Sequence, residues 1–271
     1  MLKDITLGQY FPGNSIAHKL DPRTKILLVT LYIIALFSAK GWMGYAVMAV
    51  TLAACVKVSH VGLRALVRGL KPLVFIIAFT GILNMFFTPD THYLWEWGIL
   101  RVSVKGIENA LFMVIRIMLL VMGTFLMTYT TSPIRLTDGL ESLLNPLKKI
   151  HVPVHELAMM MTIALRFIPT LIEETEKIMN AQKARGAMID NGTFTQRIKA
   201  LVPVLIPLFI SAFRRADELA MAMECRCYHG GEGRTRLKQL KFTAEDTRCA
   251  VIMTAALLVI CTTRFFVPGL A

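Results

Sequence analysis

Negative charge is scarce in this chain of 271 residues: 18 Asp and Glu stand against 30 Lys and Arg, a formal net charge of +12. Cysteine is also sparse, five in all, odd in number and scattered, with Cys55, Cys249 and Cys261 inside apolar runs. Such a pattern excludes a disulfide framework. No glycine-rich loop ends in Gly-Lys-Ser/Thr, so the chain does not bind ATP in the P-loop manner. His-Glu-x-x-His, Gly-x-Ser-x-Gly and paired Cys-x-x-Cys motifs are missing too. Cys225, Cys227 and His229 alternate beside a helix end, where side chains rarely converge on a metal, and no second ligand pair accompanies them. The apolar runs hold almost no acids or nucleophiles, which counts against an intramembrane enzyme. No early apolar run leads to a small-residue cleavage site, so no cleaved signal peptide is expected.

What is abundant is apolar surface. Hydrophobic residues make up 55% of the chain and the mean hydropathy is +0.57, above the range of soluble globular domains and expected of a membrane protein. The positive balance suits nucleic acid, anionic lipid or an acidic partner. Nucleic acid is the weakest of these, because a membrane chain carries cytoplasmic cations in any case.

Five apolar segments are readable. Asp21-Pro22 reads as a helix cap followed by proline in the first turn. The run Ile26–Ala39 follows, short for a full crossing but extended toward the interface by snorkelling of Thr24 and Lys25. Further runs cover about Trp42–Val56, Pro72–Phe87, Asn109–Tyr129 and Thr247–Phe266. The fourth of the five, at 1.5 Å per residue, is about 32 Å long and crosses a bilayer. Lys3, Lys19, Arg23 and Lys25, then Lys57, Arg64, Arg68 and Lys71, load alternate loops with positive charge. The positive-inside rule therefore places the N-terminus in the cytoplasm and, with five spans, the C-terminus outside. Trp95 and Trp97, in the loop from Thr88 to Gly106, belong to an outer interfacial belt. Arg116 lies inside the fourth run, where snorkelling or pairing with another helix competes with a transport-pathway role.

From Ser132 to about Asp246 charges are interleaved with apolar residues at helical spacing. Ser132-Pro133 opens an amphipathic stripe, and Pro146 and Pro153 punctuate it. One long helix then starts near His155-Glu156 and bends at Pro169. A second follows the polar turn Asp190-Asn191-Gly192-Thr193, bends at Pro203 and Pro207, and stops before Gly230-Gly231. These helices are too charged to span lipid and too apolar to float free, so they should pack on one another and leave a patch for a partner. Met159–Met161 and Met221–Met223 are expected in the core. Arg234, Arg236, Lys238 and Lys241 form an inner-face anchor before the last span.

Both long helices end alike. The first closes on Ala184-Arg185-Gly186 and the second, 41 residues later, on Cys225-Arg226-Cys227. Each arginine suits the negative end of a helix dipole, and Gly186 can take the left-handed conformation that ends a helix. A single copy would ordinarily cap its own helix and face water. Two copies between membrane-grade segments make a docking device the stronger reading.

Taken together, Leu20-Asp21-Pro22-Arg23-Thr24-Lys25, Thr131-Ser132-Pro133, Leu165-Arg166-Phe167-Ile168-Pro169 and the two arginine motifs resemble the transmembrane T component of energy-coupling factor (ECF) transporters, over nearly the whole chain. The resemblance implies an all-α polytopic membrane protein of about five transmembrane helices with a cytoplasmic module of amphipathic coupling helices. Residues 1–131 would hold the N-terminal arm and four spans, residues 132–246 the coupling module, and residues 247–271 the last span, in a bacterial or archaeal cell membrane. It further implies that Arg185 and Arg226, with Ala184, Gly186, Cys225 and Cys227 beside them, insert into grooves on two ABC-type ATPases. The T component joins these to one or several small membrane S components that bind a vitamin. ATP and magnesium would sit in the ATPases, leaving this chain non-catalytic and without cofactor or metal. Cys225 and Cys227 stand where the family usually has Ala and Gly, which keeps the side chains small but removes glycine's freedom at that helix end. A dedicated cobalt or nickel importer of the same family is the nearest alternative. A membrane enzyme or scaffold without ATPases, and a self-sufficient carrier, are more distant ones; a carrier would show inverted repeats at the midplane, whereas the repeat here is cytoplasmic.

Overall fold

The computed structural model describes residues 10–88, 93–97, 100–187, 193–230 and 239–266. The described residues fall into two compact units, one drawn from residues 10–140 and 240–266 and one from residues 141–230 and 239.

The first unit is built of helices α1 (Ile16–Lys19), α2 (Pro22–Ser38), α3 (Gly41–Ser59), α4 (Leu63–Leu70), α5 (Val74–Phe87) and α6 (Val104–Thr130), most of α7 (Pro133–Leu144), and α10 (Ala244–Phe266). Its core is made of Tyr32, Leu36, Met48, Leu52, Leu66, Leu119, Met253 and Ile260. Gly123 lets α2 and α6 approach closely: a Cβ there would lie 2.5 Å from the Tyr32 ring. Small residues do this between apolar helices, where lipid supplies no competing hydrophobic drive. The Tyr32 hydroxyl reaches across the same contact and donates to the Leu119 carbonyl at 2.9 Å.

Asp21 caps α2 as expected, accepting from the Arg23 amide at 2.9 Å. Its own amide donates to Asp246 Oδ1 at 2.8 Å, while Thr243 satisfies the other Asp246 oxygen through its amide and hydroxyl. Lys25 does not snorkel. It is 6% exposed, and its Nζ donates to the Thr130 carbonyl and to Thr131 Oγ1, both at 3.0 Å, because the end of α6 offers oxygens nearer than water. Arg116 pairs with another helix: Nε and Nη2 donate to the Tyr45 hydroxyl at 2.9 and 2.6 Å, and the guanidinium lies 5.8 Å from the Phe37 and Tyr45 ring centres.

Among the described residues four helical stretches are long and apolar enough to cross a membrane: Gly41–Ser59, Leu63–Phe87, Val104–Thr130 and Val154–Ala184. The third stretch joins α4, a 3-10 turn at Lys71–Leu73, and α5. The fourth departs from the reading of this segment as too charged to span: its charged residues cluster toward the C-terminal end and leave an apolar window. Between α5 and α6 the expected loop instead holds a two-stranded antiparallel hairpin, β1 (Tyr93–Trp97) and β2 (Leu100–Ser103), with Trp95 opposite Val102 and Trp97 opposite Leu100. Aromatic and branched residues favour extended pairing over an irregular loop. The side chains of Trp95 and Trp97, the turn at 188–192 and the cations Arg234, Arg236 and Lys238 lie outside the described residues.

The second unit is dominated by α8 (Val154–Ala184) and α9 (Phe194–Glu224), each of 31 residues. Both run through their internal prolines, Pro169 in α8 and Pro203 and Pro207 in α9. A capping box of Thr193 and Gln196 starts α9.

Candidate functional site

Helices α8 and α9 pack antiparallel. Gln182 near the end of α8 donates to the Pro203 carbonyl at 3.4 Å, whereas Glu174, two turns earlier, meets Ser211 and Arg215 farther along α9. Arg215 Nη2 lies 3.3 Å from Glu174 Oε2, and its guanidinium stacks 5.9 Å from the Phe167 ring centre. Glu174 thus fastens the pair at its middle through two partners on α9. Spacing along one helix does not reveal such a contact; the only trace is an acid on one apolar helix and a cation on the next.

The antiparallel arrangement puts the two C-terminal ends at opposite ends of the pair. Arg185 follows the Gln182 contact by three residues, while Arg226 lies 23 residues beyond Pro203, about 35 Å of helix. At the first end Gly186 N–H donates to the Lys183 carbonyl and Ala187 N–H to the Gln182 carbonyl, both at 3.0 Å. At the second, Cys227 N–H donates to Glu224 at 2.8 Å and Tyr228 N–H to Met223 at 3.1 Å. The two ends carry the same pair of bonds, 5→2 and 6→1, which defines a Schellman turn.

Each turn requires a left-handed residue just after the arginine. Gly186 supplies it with φ +87° and Cys227 with φ +56°. Loss of glycine therefore leaves the second turn with the geometry of the first; cysteine bears about 1 kcal/mol of Cβ crowding. The backbone shape is shared and the residue is not.

Arg185 and Arg226 are both exposed, as are Ala184, Gly186, Cys225 and Cys227. Neither guanidinium has a hydrogen-bond or ion-pair partner among the described residues. Each is held at a helix terminus with five donors free, the fork that binds carboxylates and carbonyls in pairs. The structure does not bring the six motif residues into one cavity; it presents them as two separate knobs. Cys225 and Cys227 are free thiols, and His229 Nδ1 is 2.9 Å from the Cys227 carbonyl. No group of three or more potential metal ligands occurs among the described residues.

One face of α9 carries a further feature. Ile198, Val202, Leu205, Phe209 and Phe213 recur at helical spacing and are all exposed, Phe213 to 69%. Met160, Met161 and Met221 are exposed as well, contrary to their expected place in the core. Two helices packed as a pair bury only one stripe of each, so the remaining apolar faces stay open.

Comparison with known proteins gives a consistent result. The family model CbiQ, described as a cobalt transport protein, matches residues 13–237. The chain is similar to the energy-coupling factor transporter transmembrane protein EcfT of Ruminiclostridium cellulolyticum, at 55% identity over 91% of this chain and 92% of that one. It is 51% identical to EcfT of Acidaminococcus fermentans over 99% of this chain and all of that one, and 46% identical to EcfT of Bacillus subtilis over 95% and 98%.

Proposed function

We propose, from the premise that the chain belongs to the CbiQ family as a transmembrane T component of ECF transporters, that it relays ATP-driven motion from two cytoplasmic ABC-type ATPases to a small membrane S component that carries a vitamin. The observation that carries this reading is the repetition of one exposed, unpartnered arginine on one turn geometry at opposite ends of a helix pair. Each arginine enters a groove on one ATPase and forms charge-assisted bonds there that lysine cannot copy. When the ATPases close on ATP, the two ends are drawn together and α8 rotates against α9 about the Glu174 contact. The exposed apolar face of α9 passes this rotation to the S component, which tilts or releases its substrate. The chain hydrolyses no ATP and holds no cofactor; ATP and magnesium belong to the ATPases. It resides in a bacterial or archaeal cell membrane with its N-terminus in the cytoplasm and its C-terminus outside.

Affinity purification in mild detergent tests the assembly. Two ABC-type ATPases together with several different small membrane proteins are expected. A single small partner would favour a dedicated cobalt or nickel importer, and recovery of the chain without any ATPase would end the transporter reading.

A further inference from the structure

A groove of about 540 Å³ runs along the outside of the first unit between α2 and α10. Its bed is mostly apolar, formed by Leu27, Leu31 and Ile34 on one side and by Ala250 on the other, with Thr30 and Thr254 among them. Phe242 lines the end next to the start of both helices, and it is 64% exposed. The Arg23 guanidinium stacks 5.6 Å from the centre of that ring, and Lys241, next in sequence to Phe242, is exposed. Two cations therefore stand beside the Phe242 end of a groove whose exposed lining is mostly apolar.

The acids near this end are largely committed elsewhere. Asp246 is 2% exposed and its oxygens take hydrogen bonds from Asp21 and Thr243. Glu245 pairs with Arg248 at 2.7 Å. Asp21 caps α2 and forms a long ion pair with Arg23, 4.0 Å from its Nε and beyond hydrogen-bond length, so it compensates Arg23 only in part. Lys241 is exposed and Arg23 partly so, and beyond Lys25 the rest of α2 carries no charged residue, which sets both cations at the edge of an uncharged, largely apolar run.

We propose that this groove is a binding site for an anionic phospholipid, with one acyl chain lying between α2 and α10 and the headgroup phosphate between Arg23 and Lys241. The shape alone would admit any apolar chain. Charge at one end selects among lipids: interfacial cations attract anionic headgroups, and a guanidinium matches a phosphate with paired donors. The inference goes beyond the transport reading and does not depend on it, because a lipid site on the outside of the first unit requires only that this unit lie in a membrane, as its long apolar helices imply.

The test is native mass spectrometry of the purified protein, with whatever partners it retains, after equilibration in micelles containing equal phosphatidylglycerol and phosphatidylcholine of matched chains. Preferential retention of phosphatidylglycerol is expected. Arg23→Gln and Lys241→Gln should each reduce that preference by roughly fivefold. Thr30→Trp, which fills the groove from an exposed position on α2, should lower retention of both lipids. Lys241→Gln changes only an exposed side chain, so its effect cannot be ascribed to misfolding. Equal retention of the two lipids by the unaltered protein, or an undiminished preference in the double Gln variant, overturns the proposal. So does a photoreactive group at Thr30 that labels polypeptide alone, which would seat a partner's helix there instead. None of these outcomes bears on ATPase association, so failure here and failure of the transport reading can be told apart.

Discussion

Arg116 and Arg185 are the same residue in two regions that use it oppositely. In the first unit Arg116 gives two of its donors to Tyr45 and stacks on Phe37 and Tyr45. At the end of α8, Arg185 gives none to any described residue and stands exposed, as Arg226 does at the end of α9. A cation inside an apolar run must be satisfied by its own fold, since lipid offers no partner. A cation at a helix terminus in water needs no such partner and stays available to another protein. In this chain the unpartnered arginines, not the one in the membrane run, are the functional candidates.

That comparison can be broken most directly at the helix ends. Replacing both Arg185 and Arg226 by Ala should weaken ATPase co-purification by about a hundredfold or more, since each removes charge-assisted bonds, and should abolish uptake while the protein still folds. Unchanged uptake in the double variant would show that the arginines only cap their helices. Arg116→Met tests the other side. Losing its bonds to a partly buried Tyr45 hydroxyl should cost about 2 kcal/mol of stability, visible as a lower melting temperature in detergent with ATPase association intact. If ATPase association fell instead, Arg116 would belong to the coupling path.

Two smaller changes sharpen the contrast. Arg185→Lys keeps the charge and loses the fork, so binding of the ATPases should fall by about tenfold; a value equal to wild type would mean that only charge matters. Cys227→Gly relieves the left-handed strain and should raise stability by about 1 kcal/mol at most with docking unchanged. A loss of docking on that substitution would instead assign the thiol a role of its own.

The helix ends that carry the two arginines were legible without coordinates. The two arginine motifs, their place at the ends of two long helices and the proline positions follow from local composition, because capping and propensity act over a few residues. The fastening of α8 to α9 through Glu174 was not legible, since Ser211 and Arg215 lie 37 and 41 residues away. Exposure of Met160, Met161 and Met221 was misjudged for a related reason: an apolar residue on a helix goes to a core only if another element covers that face. The hairpin at 93–103 was taken for a loop because each strand is only four or five residues long and is defined by its partner.

The sequence by itself determined that this is an all-α membrane chain and which two arginines close the paired helices, but not that α8 is apolar enough to cross a membrane. These are outcomes of hydropathy, periodicity and end-capping, each settled within a turn or two of helix. Only the tertiary structure decided which cations are consumed. Lys25 is tied to Thr130 and Thr131, Arg116 to Tyr45 and Arg215 to Glu174, whereas Arg185 and Arg226 remain unpartnered among the described residues. It decided too that Cys227 reproduces the turn built by Gly186, because a pair of backbone hydrogen bonds held by the whole helix end outweighs the small cost of a Cβ in the left-handed region.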